Sequence, residues 1–151
     1  MSEFHVKPGD EVQFSKTVGE SDVYLFAGIT GDLSPNHVNE QLMARTSYGQ
    51  RIAHGALLIG FMSTTSTMMI DASAGLTEDE TPVSLGYDRS RFLAPVFIGD
   101  TVTVTYRIAA VDPERRRSTS EITVTNQRGE TVAVGSHILK WVPNTATQAA
   151  E

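Results

Sequence analysis

Residues 55–70 read GALLIGFMSTTSTMMI, with no charge and only apolar or small side chains at every position. A helix that is apolar all round is one that the rest of the fold buries. The stretch therefore predicts a central buried helix starting near Gly55. Ala56, Gly60, Ser63 and Thr67 recur at helical spacing and form one narrow face that another backbone could approach closely. The β-branched threonines are poor helix formers, so burial has to override propensity in the last turns. The run falls short of the ~20 residues a membrane span needs, and Ser63 to Thr67 are all hydroxylated.

After Thr81 the period changes from helical to two. Ser84–Phe92, Thr101–Ile108, Ser120–Asn126 and Thr131–Val142 are rich in Val, Ile, Thr and aromatics and predict strands. The breaks between them read APVFIGD, VDPERRR and NQRGE, and Gln127-Arg128-Gly129 suits a hairpin turn. Before the helix, residues 11–18 alternate enough for a short strand. A helix capped by Glu20-Ser21-Asp22 follows, with Val23, Phe26 and Ala27 at helical spacing and a stop at or soon after Gly28. The stretch TGDLSPNH predicts a turn region, because Pro35 pushes Ser34 out of helical geometry. Glu40 to Arg45 predicts a short helical piece, and Tyr48-Gly49-Gln50 a second break. A buried helix followed by locally connected strands is an α+β pattern with an antiparallel sheet.

Composition narrows the function. The chain has 151 residues, 12 Lys+Arg against 18 Asp+Glu, a net charge of −6 and no cysteine. One domain, 1–151, with a mobile tail over 144–151, is the expectation. The absence of cysteine excludes disulfides, zinc–thiolate sites and thiol nucleophiles. The acidic balance argues against nucleic acid or a membrane surface as partner. The N-terminus mixes both charges and lacks the apolar core of a secretory signal, so a cytoplasmic protein is expected.

Three places could carry chemistry. Gly31-Asp32-Leu33-Ser34-Pro35-Asn36-His37 puts a carboxylate and an imidazole on one turn, where they could hold a water between them. The same spacing also suits a plain Asx-turn. His54-Gly55 opens the uncharged helix, whose first amides are unpaired and can bind an oxygen that gains negative charge. His54 there could equally be a capping or packing residue. Gly55 would let a substrate approach closely. Ser63 lies about two turns in, where a hydroxyl more often bonds back to its own helix. The 4 histidines show no metal-like spacing, and no Gly-x-Ser-x-Gly elbow, Walker loop or GxGxxG is present. No metal site is therefore expected. Arg115-Arg116-Arg117 suits a solvated hairpin tip, with phosphate binding as the alternative. Trp141 and Tyr106 are expected in the core or an interface.

Together these residues resemble a known family. FAGITGDLSPNHVNEQLMARTSYGQRIAHGALLIGF looks like the hydratase motif of the MaoC-like dehydratases, which include the (R)-specific enoyl-CoA hydratases. RSRFLAPVFIGDTVTV resembles that family's strand and F-x-x-P-V-x-x-G-D turn. The likeness runs from about Lys7 to Val142. It implies a hot-dog fold, a long helix wrapped by a curved antiparallel sheet. It implies Asp32 and His37 as the catalytic pair, Gly55 as the amide on the thioester oxygen and Ser63 near the reacting centre, so that Gly55, Ser63, His54 and Ser34 are the candidate oxyanion or substrate-binding residues. The implied reaction is reversible addition of water to a trans-2-enoyl-CoA, giving an (R)-3-hydroxyacyl-CoA. The implied needs are an acyl-CoA substrate and no metal or organic cofactor, coenzyme A being only the carrier. The implied assembly is a homodimer or a larger homo-oligomer, consistent with an exposed sheet edge.

The sequence departs from the family pattern at Ser34, where Asn is usual, at Asn36, where an aliphatic residue is usual, and at Met43, where a small one is usual. The departures bear on pocket shape and acyl group rather than on the Asp/His pair. Two other readings stand beside this one: a hot-dog acyl-CoA thioesterase, and a non-catalytic acyl-thioester binding subunit.

Overall fold

The structure is a computed structural model and describes residues 4–73 and 78–145. Its elements, in chain order, are β1 (Glu11–Thr17), α1 (Glu20–Thr30), α2 (Pro35–Val38), α3 (Glu40–Met43), α4 (Gly55–Ala72), β2 (Glu80–Phe92), β3 (Thr101–Asp112), β4 (Arg117–Thr125) and β5 (Thr131–Pro143). The strands form one antiparallel sheet in the order β1-β3-β4-β5-β2. Helix α4 packs across β1 and β3. This is the hot-dog arrangement that the resemblance implies.

Period-two patterning aims the core. Val102, Val104, Tyr106 and Ile108 of β3, Ile122 and Val124 of β4, and Leu139 and Trp141 of β5 are buried against Leu57, Leu58, Phe61, Met62 and Met69 of α4. Each such side chain contributes roughly 1.5–3 kcal/mol when removed from water. The opposite face of β1 and β3 is solvated. There Ser15 meets Thr103, and Thr17 meets Thr101, each at 2.7 Å between hydroxyls.

All four strands after the central helix run longer than their sequence patterns, β5 by one residue to Pro143. β2 begins at Glu80, β3 continues to Asp112 and β4 starts at Arg117. The helix α1 extends past Gly28 to Thr30, and Gly31 ends it in the left-handed region at φ 78°. Gly19, not the Glu20-Ser21-Asp22 group, is its N-cap; Asp22 accepts the Gly19 N–H at 2.7 Å. Burial pushes the Asp22 carboxyl up, but that N–H and Lys16 outweigh it and hold it below the ordinary value.

The central helix is not buried on every side. Ala56, Gly60, Ser63 and Thr67 are exposed, and nothing lies within 4 Å of where a Gly60 Cβ would be. Within one chain, the narrow face of small residues is a solvent face. The arginine run is not a fully solvated tip either. Arg116 adopts φ 54° and donates to Glu80 Oε1 at 2.7 Å, while Arg117 already belongs to β4. That bond, with His5 Nε2 2.7 Å from Oε2, lowers the Glu80 carboxyl to about 2. At the C-terminus Asn144 N donates to Asp79 O at 2.8 Å and its side chain accepts from Thr81, so it is held. The rest of the expected tail, 146–151, lies outside the described residues. No helix among the described residues is long and apolar enough to cross a membrane.

Candidate active site

Three short segments converge on the start of α4. The first is the turn after α1. Gly31 N donates back to Ala27 O at 2.9 Å and reverses the chain. The Asp32 carboxylate then accepts Ser34 N at 3.3 Å, the Asx-turn that the spacing allows. Pro35 does more than end a turn. It opens the one-turn helix α2, where its missing N–H costs nothing. That turn of helix sets His37 inward, largely buried.

The second segment is Ile52-Ala53. Ile52 N donates to Asn36 O at 3.0 Å, and Ala53 N to Val96 O at 2.7 Å. Ile52 also bridges Phe97. Pinned on both sides, this segment delivers His54 and Gly55 to the front of α4. The His37 Nδ1–H donates to Ile52 O at 2.7 Å. With a carbonyl taking that proton, Nε2 is the ring nitrogen left to act as a base.

His54 has its own partner. Its Nε2–H donates to the backbone oxygen of Asp32 at 3.0 Å. It therefore fastens the Asp32 peptide rather than capping α4 through its side chain. Its ring stacks on His37 with centroids 3.7 Å apart and also packs against Phe26 at 4.8 Å. Its Nδ1 is buried and has no hydrogen-bond partner. Asp32, His37 and His54 each offer an atom within 4.8 Å of the others. A water makes hydrogen bonds of about 2.8 Å, so one molecule can span a pair at this separation. The same donor set is also of a kind that binds metal ions, although no local spacing in the sequence shows it.

A pocket of about 290 Å³ opens beside these residues, with His37, Gly55, Leu58, Tyr48, Phe92 and Leu93 among its walls. Apart from His37 and Tyr48, its lining is apolar side chain and backbone. Gly55 is the first residue of α4, so its N–H is unpaired within the helix. The sequence reading left the space beside Gly55 to a substrate. The Phe92 ring occupies it instead: its Cδ2, Cε2 and Cζ lie 2.7–2.8 Å from where a Gly55 Cβ would be.

Ser63 is not brought into this cluster. It stands about 12 Å further along the helix axis. Its side chain lies near Tyr87, while its neighbours Thr65 and Thr67 bond back to their own helix. Ser34 contributes its backbone N–H to Asp32. Asn36 is exposed, and its carbonyl serves Ile52. Met43 is buried.

Arg51 was not legible as a site residue. It is buried, and its guanidinium donates to Glu40 at 2.7 Å, to Glu20, and to the His37 carbonyl at 3.4 Å. The bonds to Glu20 and then Glu40 raise its pKa and keep it charged. It thereby ties α1, α2 and α3 to the site. Its two acids lie far from it in sequence, and no local pattern links the three.

Comparison with known proteins follows the same lines. Residues 3–132 match the MaoC like domain family. The (R)-specific enoyl-CoA hydratase of Rhodospirillum rubrum is 37% identical over 120 residues, 80% of this chain and 78% of that protein. The 3-hydroxybutyryl-CoA dehydratase of Methylorubrum extorquens is 36% identical over 128 residues, 85% of this chain and 75% of that one. Among solved structures, the (R)-hydratase from A. caviae involved in PHA biosynthesis superposes with a TM-score of 0.80 at 26% identity, covering 89% of this chain and 96% of its own.

Proposed function

The chain belongs to the MaoC-like domain family, and from that premise we propose that it is a hydro-lyase, adding water reversibly to a trans-2-enoyl-CoA to give an (R)-3-hydroxyacyl-CoA. The observation that carries this reading is the meeting of Asp32 with His37, which lines an apolar pocket together with Gly55, the first residue of α4.

The residues divide the work. The Gly55 N–H, backed by the α4 dipole, receives the thioester oxygen and stabilises it as charge develops there. The Asp32 carboxylate and His37 Nε2 hold one water. As its oxygen bonds to C3, the pair takes one proton from the water and returns one to C2, and so ends as it began. The reverse sequence is dehydration. His54 positions Asp32 through its backbone oxygen, and Arg51 steadies the His37 carbonyl. Polarisation comes from the amide, so no metal or organic cofactor enters the reaction, and coenzyme A serves as carrier.

Assembly into a homodimer or a larger homo-oligomer belongs to the same proposal. The outer edges of β1 and β2 are unpaired within the sheet, and Val83 and Leu85 of β2 are exposed. The exposed small face of α4, with Ser63 on it, is a surface that a second copy could cover.

The test is to give purified protein trans-but-2-enoyl-CoA and follow the conjugated-thioester absorbance, then resolve the product on a chiral phase. Loss of absorbance with an (R)-3-hydroxy product is expected. Release of free CoA without hydration would replace this reading with thioester hydrolysis. Tight binding with neither reaction would leave a binding subunit.

A further inference from the structure

Gly55 begins a helix, and its φ lies outside the left-handed region, so the backbone at this position would accept alanine. The side-chain space would accept it only if the Phe92 ring moved. The three nearest atoms to an added Cβ all belong to the Phe92 ring, closer than any real Cβ contact allows. Phe92 is 55% exposed, so burial does not explain an aromatic residue there. Its backbone is fixed: Phe92 pairs with Ala133 at the end of β2, and Leu93 N donates to Val132 O at 2.8 Å. A paired strand end thus sets a ring against the first turn of the helix. Helical Cα–Cβ bonds tilt toward the N-terminus. A ring in the Cβ position of Gly55 therefore flanks the space into which the Gly55 N–H points.

We propose that Phe92 is the specificity-determining residue of this site, its ring and Gly55 together setting a narrow slot that accepts an enoyl thioester unsubstituted at C2 and rejects one carrying a methyl group there. The assignment rests on the hydratase reading, which puts the thioester oxygen on the Gly55 amide. C2 is then two bonds from that oxygen and next to the ring. What a side chain at position 55 would have to displace is the phenylalanine ring, not the turn of the chain.

The experiment compares wild type, Phe92→Leu, Phe92→Ala, Gly55→Ala and the Gly55→Ala/Phe92→Ala double variant. The substrates are trans-but-2-enoyl-CoA and its 2-methyl counterpart. One methylene of pocket space is worth about 10–200-fold in discrimination. Phe92→Ala is expected to raise kcat/KM for the 2-methyl substrate relative to the unbranched one by about tenfold or more, with Phe92→Leu in between. Gly55→Ala is expected to lose at least about tenfold on the unbranched substrate and to recover most of it in the double variant. An unchanged substrate ratio in both Phe92 variants would overturn the assignment, whether or not Gly55→Ala folds. A double variant no better than Gly55→Ala in turnover and Tm would overturn the pairing. Both results require a wild type that hydrates the unbranched substrate. A wild type that hydrates neither would overturn the hydratase reading itself, and this assignment with it.

Discussion

His37 and His137 sit in opposite kinds of surroundings. His37 gives one ring nitrogen to a backbone carbonyl, keeps the other free of a protein partner, lines an open pocket and lies within 4.8 Å of an Asp32 carboxylate oxygen. His137 spends both. Its Nδ1 lies 2.7 Å from the Tyr106 hydroxyl and its Nε2 lies 2.8 Å from Ser84 Oγ, while Tyr87 stacks on its face at 4.5 Å. It is fully buried, and burial lowers its pKa to about 4. A histidine whose nitrogens are both satisfied inside a sheet is part of the frame. One with a free nitrogen, a fixed tautomer and a carboxylate within reach is equipped for proton transfer.

The comparison breaks if the two regions fail to separate activity from stability. Asp32→Asn and His37→Gln should each lower turnover by about 10²–10⁴-fold, the usual contribution of a positioned acid or base. Their Tm should stay close to wild type, since Asp32 is exposed and Gln keeps a polar group near the Ile52 carbonyl. Steady-state kinetics and calorimetry on the same preparations would check this. A large fall in Tm with little change in turnover would reverse the roles.

His137→Ala should do the opposite. It leaves the buried Tyr106 hydroxyl without this partner and opens a cavity, costing about 3 kcal/mol. Denaturant unfolding should show the loss, while turnover per folded molecule is unchanged. Acid sharpens the same contrast. The folded-state pKa of about 4 lies below the ordinary 6.5, so protonation favours the unfolded chain. The stability that the neutral ring provides is complete above about pH 6.5 and is lost as pH falls toward 4, by about 3 kcal/mol in all. In His137→Gln that part of the slope should vanish from a pH series of unfolding curves.

A smaller effect is expected at Arg51. Its acids Glu20 and Glu40 are more than half exposed, so solvent screening weakens the ion pairs. The bond to the His37 carbonyl remains the part that matters to the site. Arg51→Met should cost about 1–2 kcal/mol and raise KM more than it lowers kcat. An unaltered KM would show that Arg51 steadies the fold but not the site.

The same contrast explains what was legible in the sequence. Alternation in β3 and β5 and the uncharged run of α4 are local patterns, and the α+β arrangement followed from them. The Asp32–His37 turn was visible because both residues lie on one short loop and match a family motif. The one-turn helix α2 was hidden, since four residues starting with proline carry no period. The exposure of Ala56, Gly60, Ser63 and Thr67 was hidden because small residues suit a buried face and an open one equally. Phe92 against Gly55, and Arg51 between Glu20 and Glu40, are contacts between distant segments. Only the folded chain brings them together.

In the proposed reaction Asp32 and His37 add water to the enoyl double bond. The most direct test follows the conjugated-thioester absorbance of trans-but-2-enoyl-CoA with wild type, Asp32→Asn, His37→Gln and His137→Gln, each shown to be folded. Turnover by wild type and His137→Gln, with a loss of about 10²-fold or more in the other two, is the predicted result. Equal turnover by all four would contradict it.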